Sequence, residues 1–286
     1  MQSSRAAFLD LHVAGNPLVM PNPWDVGSAR MLASMGAKAL GSTSAGAAFV
    51  LGRREGTLSF DEMLDAACAL AEATGLPVTA DLESCGGDAP KDVARAIQTA
   101  AARPISGASV EDISADGRTF DLAEAVDRVA AAVEAAKGTG LVITARAEAM
   151  QWPEGNLDDV CKRIAGFAQA GADVVYAPGL SNAEMVRAVV SAAGGVPVNM
   201  LVGSNTGGFS VSALAELGVA RISTGAALAR AAYGAVIDMM RDVLDGTTGG
   251  GGWGDDVNMN PVRPAALEDG GRPTRDPTLI TTPYRP

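Results

Sequence analysis

The sequence predicts an α/β fold, a (β/α)8 barrel of the TIM type, on three observations. Short apolar strand segments alternate with amphipathic helical segments eight times between residues 17 and 244, which implies parallel pairing with both sheet faces covered. The connections are mostly short, and no second domain interrupts them. No G-x-G-x-x-G follows the first strand, as an open dinucleotide-binding sheet would require. Eight uninterrupted units fit a closed barrel of about 250 residues better than a doubly wound sheet.

The elements follow in order. After an N-terminal helix, Pro17–Trp24 reads as a strand running into a proline-bounded loop. Asp25 starts the helix Val26–Met35, which Gly36 ends. Ala39–Ser44 is the second strand, and a long loop is expected from Ala45 to Thr57. Ser59 and Glu62 form a capping box for the next helix, which stops at Gly75-Leu76-Pro77. The strand Val78–Glu83 precedes a helix over Ala89–Arg103. Ala108–Asp112 pairs with the helix Asp121–Lys137, and Leu141–Glu148 with Leu157–Ala170. Asp173–Pro178 is followed by Asn182–Ala193, Pro197–Val202 by Val211–Leu217, and Arg221–Thr224 by Ala226–Leu244. Residues 1–245 therefore form the barrel. Residues 246–286 form a glycine-rich linker and a C-terminal arm rich in Pro, Arg and Asp.

Composition narrows the function. Hydrophobic residues make up 48% and charged residues 19% of the 286 residues, and the net charge is −11. That balance excludes a nucleic-acid binder, which needs clustered Lys and Arg. No apolar run is long enough to span a membrane. Residues 1–10 lack a basic segment followed by an apolar run, so no signal peptide is expected. The three cysteines, Cys68, Cys85 and Cys161, have no zinc-site spacing. An odd count gives no disulfide framework, and a reducing cytoplasm is the expected setting. The glycine linker and arm after the last helix lead us to expect a homo-oligomer.

Active sites in such barrels form at the C-terminal ends of the strands. Charge concentrates at the ends of strands three to five: Asp81 and Glu83, then Glu111 and Asp112, then Arg146 and Glu148. On a strand, Asp81 and Glu83 point to the same side. With Glu111 they offer hard oxygen ligands for magnesium, which keeps several waters and needs one or two direct carboxylates. Arg146 offers a planar fork for a substrate carboxylate. Thr43, Ser44 and Ala45 offer hydroxyls and N–H groups to a second anionic oxygen, and Asn199 adds a polar group on strand seven. Such a set would bind a small 2-oxo or 2-hydroxy carboxylate and stabilise an enolate. Plainer readings stand beside this. Asp25 and Asp112 are caps or loop anchors, Arg146 and Glu148 pair with each other, and the single histidine, His12, is incidental. Cys85 only lines the site, and Trp24 and Trp152 are packing residues near the mouth.

These residues resemble the isocitrate lyase / phosphoenolpyruvate mutase family over about Pro17–Leu244. The resemblance rests on Lys38-Ala39-Leu40 leading to Gly41-Ser42-Thr43-Ser44-Ala45-Gly46, Leu51-Gly52 with Glu55, Asp81-Leu82-Glu83, Val110-Glu111-Asp112 and Ala145-Arg146-Ala147-Glu148. It implies a mutase-like barrel whose last helix often swaps between subunits in a dimer of dimers. It implies Mg2+, with Mn2+ as the other candidate ion, and substrates built on pyruvate, oxaloacetate or a 2-hydroxy di- or tricarboxylate. By position, Asp81, Glu83 and Glu111 match the metal-site acids. Thr43, Ser44 and Ala45 match the pyruvyl-binding segment, Arg146 the substrate arginine, and Glu55 an acid near the metal's water shell.

The chain departs from the family in its reaction loop. Lyases of the family carry Lys-Arg-Cys-Gly-His after strand four. Here Ile113–Phe120 has no lysine, cysteine or histidine and is short. The mutase lysine and asparagine are missing too. Ala177 or Pro178 stands where the family has a histidine after strand six, and Glu83 stands where aspartate is usual. The resemblance therefore implies a Mg2+-dependent lyase that cleaves a C–C bond through an enolate. Oxaloacetate decarboxylation and P–C bond cleavage are alternatives within the same chemistry. A non-catalytic carboxylate-binding barrel is an alternative of another class.

Overall fold

The structure is a computed structural model that describes residues 5–246, apart from 153 and 204–206. The arm expected beyond Gly246 lies outside the described residues. The chain divides into two compact units, Met1–Leu228 and Ala229–Pro286.

The first unit is the barrel. Its strands are β1 (Leu18–Met20), β2 (Leu40–Gly41), β3 (Val78–Ala80), β4 (Gly107–Glu111), β5 (Val142–Arg146), β6 (Val174–Tyr176), β7 (Val198–Leu201) and β8 (Arg221–Ser223). All pair in parallel, in the order β1-β8-β7-β6-β5-β4-β3-β2. The seam between β1 and β2 is bridged by Gly41 N–H donating to the Pro21 carbonyl at 3.1 Å and by Asn22 Nδ2 donating to the Ser42 carbonyl at 2.8 Å. A Cβ at Gly41 would lie 2.6 Å from that Asn22 nitrogen, so only glycine lets the seam close.

The helices are α1 (Arg5–Leu9), α2 (Val26–Ser34), α3 (Ser44–Val50), α4 (Phe60–Thr74), α5 (Pro90–Ala101), α6 (Leu122–Ala136), α7 (Leu157–Gln169), α8 (Ala183–Ala192), α9 (Val211–Glu216) and α10 (Ala227–Leu244). Local chemistry sets their starts. Asp25 and Ser28 form a capping box on α2, as Ser59 and Glu62 do on α4. Each such cap stabilises by about 1 kcal/mol. Asp25 is thus a cap, as its plain reading has it. Among the described residues no helix is long and apolar enough to cross a membrane.

Buried aliphatic side chains such as Val93, Ile97, Val110, Leu141 and Ile143 join helices to strands. A second cluster around Ile164, Phe167, Val175 and Val186 does the same on the far side. Each fully buried aliphatic contributes about 1.5–3 kcal/mol. Phe8 of α1 packs with Leu18, Val142 and Val174, the first residues of β1, β5 and β6. The N-terminal segment therefore closes the N-terminal end of the barrel.

Strand register builds the interior. Glu111 pairs with Arg146, Arg146 with Tyr176, Tyr176 with Asn199 and Asn199 with Arg221. Paired residues on parallel strands face the same side, so these five polar side chains form one interior row. Glu111 and Arg146 end their strands, whereas Arg221 begins its own. The stagger carries the row from the mouth towards the floor.

Three expectations are corrected here. The segment after β2 is not a loop throughout, because Ser44–Val50 is a helix with Thr43 as its N-cap. Gly46 resembles a breaker in sequence, but a Cβ there would lie 2.8 Å from Trp24 Cβ. Strand β3 stops at Ala80, and Glu83 has φ 50°. Asp81 and Glu83 therefore do not alternate along a strand; Glu83 sits in a left-handed turn. Strand β5 stops at Arg146, and Glu148 precedes a short 3-10 turn, Ala149–Gln151.

Candidate active site

Arg146, the last residue of β5, is the centre of the mouth. Its Nη1 lies 2.8 Å from Asp81 Oδ1 and 2.9 Å from Glu111 Oε1, and its Nε lies 2.7 Å from Glu148 Oε1. The guanidinium sits 4.8 Å above the Tyr176 ring. Its Nη2 makes no hydrogen bond among the described residues. Arg146 and Glu148 do pair, but as one edge of a larger cluster.

Asp81 is held from three sides. Ser44 donates to Asp81 Oδ2 through its backbone N–H at 3.0 Å and its hydroxyl at 3.1 Å. Asp81 N–H donates to Ser42 Oγ at 2.8 Å, and Ser109 Oγ donates to Asp81 Oδ1 at 3.4 Å. The start of α3 therefore meets the Asp81 carboxylate, consistent with the favourable field at a helix N-terminus. Thr43 Oγ1 accepts from Gly46 N–H at 3.2 Å, which leaves its own proton to donate elsewhere. Glu83 is half-buried, and its carbonyl accepts from Glu111 N–H at 3.1 Å.

The acids are crowded. Burial first, then the charges of Glu148, Asp81 and Glu83, push the Glu111 carboxyl well above its usual range, against the pull of Arg146. Burial and the charge of Asp81 push Glu83 up, with a further contribution from Glu55. Burial likewise pushes Glu148 up, although Arg146 opposes it. Burial works against the charge on Arg146, but Glu111, Glu148 and Asp81 outweigh it and hold the guanidinium protonated. Four carboxylates, Asp81, Glu83, Glu111 and Glu148, thus share one guanidinium.

The structure brings Asp81, Glu83, Glu111, Arg146 and Ser44 together at one mouth, with Thr43 and Ala45 buried beside them at the start of α3. Glu55 is exposed in the following loop, close enough for its charge to act on Glu83. Asn199 is placed differently from a free amide at the mouth. Its Nδ2 donates to Ser223 Oγ at 2.9 Å, and its oxygen accepts from Arg221 Nε at 2.9 Å. Both ends of the amide are committed inside the barrel. Cys85 is wholly buried, and desolvation pushes its thiol up to about 12, so it does not face the mouth. Asp112 acts as an anchor: Oδ1 accepts from Glu148 N–H at 2.9 Å and Oδ2 pairs with Arg163 at 3.2 Å. Trp152 is half exposed.

Sequence reading missed the supports. Ser42 reads only as part of a strand-end motif and Ser109 only as a strand residue, although serine facing a barrel interior needs a partner. Tyr176 was legible as a strand end but not as the ring beneath Arg146. His12 takes no part in this cluster but has structural partners inside the protein. Its Nδ1 lies 3.0 Å from the Phe8 carbonyl and its Nε2 lies 3.4 Å from Arg221 Nη1.

The donor set fits a hard divalent cation. All candidate ligands are carboxylate oxygens, and the mouth carries three more acids than cations, so repulsion between the acids adds to burial, the first cause, in pushing Glu83, Glu111 and Glu148 up. Added positive charge would relieve that repulsion. Among the described residues no three acidic, histidine or cysteine side chains form a ready-made cage, because Arg146 stands between Asp81 and Glu111. Magnesium does not require such a cage, since water and substrate commonly fill most of its positions.

The site is thus an acidic, arginine-centred mouth on a parallel (β/α)8 barrel. Residues 8–244 match the phosphoenolpyruvate phosphomutase family, and the chain belongs to it. An uncharacterised protein of Mycobacterium tuberculosis is 31% identical over 247 residues, covering 84% of this chain and 90% of that protein. Among solved structures, one from Burkholderia cenocepacia J2315 described as a lyase/mutase is 42% identical, with a TM-score of 0.81 over 86% of this chain and 89% of that one. Oxaloacetate acetylhydrolase in complex with the product oxalate is 25% identical, with a TM-score of 0.77 over 87% and 90% of the two chains. 2,3-Dimethylmalate lyase, of the PEP mutase/isocitrate lyase superfamily, is 27% identical, with a TM-score of 0.75 over 85% of each chain.

Proposed function

We propose that this protein is a Mg2+-dependent lyase that cleaves a C–C bond in a small 2-oxo or 2-hydroxy carboxylate through an enolate-like intermediate. The observation that carries the reading is the convergence of Asp81, Glu111 and Glu148 on Arg146 at the mouth. Asp81, Glu83 and Glu111 would hold Mg2+, or Mn2+ in its place, and Glu55, whose charge acts on Glu83, would face the ion's water shell. Bound Mg2+ supplies positive charge next to the oxygen on which negative charge develops.

The chain's own groups do the rest. Arg146 Nη2 meets the substrate carboxylate, and its bonds to Asp81 and Glu148 fix the plane of the fork. The Thr43 hydroxyl and the backbone of Ser44 and Ala45 receive the second anionic oxygen. Asn199 supports this from below by holding Arg221 and Ser223 in place. When the bond beside the carbonyl breaks, the electron pair moves onto the oxygen these donors face. The relatives named for oxaloacetate and 2,3-dimethylmalate support this substrate class.

Oxaloacetate decarboxylation is the second reading. It is favoured by the hairpin Ile113–Phe120, which has no lysine, cysteine or histidine to act as acid or base. A panel of oxaloacetate, methylisocitrate, isocitrate and phosphonopyruvate, assayed with Mg2+ for pyruvate, glyoxylate, carbon dioxide and phosphate, tests the proposal. Release of pyruvate from a 2-hydroxy tricarboxylate supports the lyase, and phosphate release alone overturns it. Tight Mg2+-dependent oxalate binding without any turnover would leave a carboxylate-binding barrel. We further propose a cytoplasmic homo-oligomer, a dimer of dimers; sedimentation as a monomer at micromolar concentration would reject that assembly.

A further inference from the structure

The loop after β3 carries Asp81 and Glu83, yet the side chain that ties it down comes from α6. Arg128 has no exposed surface, a rare state for arginine. Its Nη1 donates to the carbonyl of Gly87 at 2.6 Å and to that of Asp88. Its Nη2 donates to the carbonyl of Ser84 at 2.6 Å. The guanidinium lies 4.1 Å over the Phe120 ring, and Arg118 lies 4.7 Å from the same ring. Arg118 also reaches the Asp88 carboxylate at 3.8 Å. One buried fork thus joins the β3 loop to the hairpin after β4.

The backbone explains why a fork is needed. Glu83, Cys85 and Gly86 have φ of 50°, 56° and 83°. Left-handed residues cost a non-glycine backbone about 1–2 kcal/mol each, so the turn persists only if something outside it fixes it. It leaves three carbonyls unable to join a ladder. A planar guanidinium with five donors can satisfy all three, and an ammonium cannot match that geometry. Among the described residues the Nε of Arg128 has no partner, so the residue keeps its place at the expense of one unmet donor. Among them it also meets no carboxylate, and a cation so buried is held by its bonds to those carbonyls.

We propose that Arg128 is a positioning residue that fixes residues 83–88 and thereby sets Glu83 and Asp81 at the mouth. The consequence for metal binding rests on the magnesium reading above. Cys85 reports the loop directly, because it is wholly buried within it. Cys68, buried in α4, reports global unfolding.

The test uses the full chain in wild-type, Arg128→Lys and Phe120→Leu forms. N-ethylmaleimide labelling is read per cysteine by mass spectrometry, and Mn2+ binding by electron paramagnetic resonance. In Arg128→Lys we expect Cys85 to label at least about tenfold faster, with Cys68 unchanged and Mn2+ bound about tenfold more weakly. Phe120→Leu keeps the fork but removes the stacked ring, and should release Cys85 to a smaller extent; it carries the test if Arg128→Lys does not fold. Cys85 as slow as in wild type, or Cys85 and Cys68 accelerating together, overturns the proposal. So does selective release of Cys85 with Mn2+ affinity unchanged. A wild type that binds no Mn2+, together with selective release of Cys85 in the variant, rejects the magnesium reading and supports the loop-fixing role.

Discussion

Arg146 Nη1 lies 2.8 Å from Asp81 Oδ1 across 65 residues of sequence. The contact passes over β4, whose last residue, Glu111, meets the same nitrogen. Both partners are largely buried. Removing the one cation of such a cluster leaves its carboxylates uncompensated and costs about 3–5 kcal/mol. Arg146→Met should therefore lower unfolding stability by about 3 kcal/mol as well as abolish turnover. Arg146→Lys, which keeps the charge but loses the fork, should lose less stability. Urea unfolding of the three proteins decides it; a Met variant as stable as wild type would mean that Arg146 does not stabilise the cluster.

Asp81 separates a metal role from a structural one. Mg2+ at about 100 times its dissociation constant should stabilise the wild type by about 2.7 kcal/mol, seen as a rise in melting temperature. Asp81→Ala strands the Ser44 N–H and should cost about 1–3 kcal/mol without metal. The discriminating result is the metal response. The variant should show no Mg2+-induced rise and at least about a hundredfold loss of turnover, in line with loss of a transition-state contact. A full Mg2+ response in Asp81→Ala would remove Asp81 from the metal site.

The fold was legible because helix and strand periods are local signals. The mouth was legible where a residue ends its strand, as Glu111 and Arg146 do. It was not legible where tertiary contacts override the local pattern. Glu83 reads as one more strand residue, yet its left-handed backbone accompanies carbonyls that Arg128 holds from another helix. Gly46 reads as a loop residue, yet it lies in α3 behind the Thr43 cap, and it is glycine because Trp24 leaves no room for a Cβ. Asn199 reads as a mouth residue, but the register pairs it with Arg221, the first residue of β8. Strand stagger is a property of the closed barrel, and no single segment records it.

The strain at Glu83 makes a prediction of opposite sign for stability and function. Its φ of 50° suits glycine, and relieving a left-handed non-glycine residue can stabilise even after the unfolded-state entropy is counted. Glu83→Gly should therefore match or exceed wild-type stability by up to about 1 kcal/mol. It should also need a higher Mg2+ concentration for half-maximal activity. Unfolding curves and a Mg2+ titration of turnover check both halves. A variant that loses stability would show that the carboxylate, rather than the backbone, holds the turn.

His12 sets a pH dependence far from the chemistry. Burial, with a smaller push from the Arg221 charge, lowers it from 6.5 to about 4. With Nδ1–H donating to the Phe8 carbonyl, Nε2 is the acceptor that faces Arg221. Between pH 6.5 and about 4 the unfolded chain takes up a proton that the native one refuses. Stability from this residue is therefore complete above pH 6.5 and falls as the pH is lowered through that window. From pH 7.5 to 5 the loss is about 2 kcal/mol. The buried acids Glu111 and Glu148, held high, act in the opposite direction as pH falls, so the wild-type profile mixes the two. Comparison with His12→Gln isolates the histidine, because the acids are common to both proteins. The fall in unfolding free energy between pH 7.5 and 5 should be smaller in the variant by about 2 kcal/mol. Coincident profiles would mean that His12 is not held neutral against Arg221.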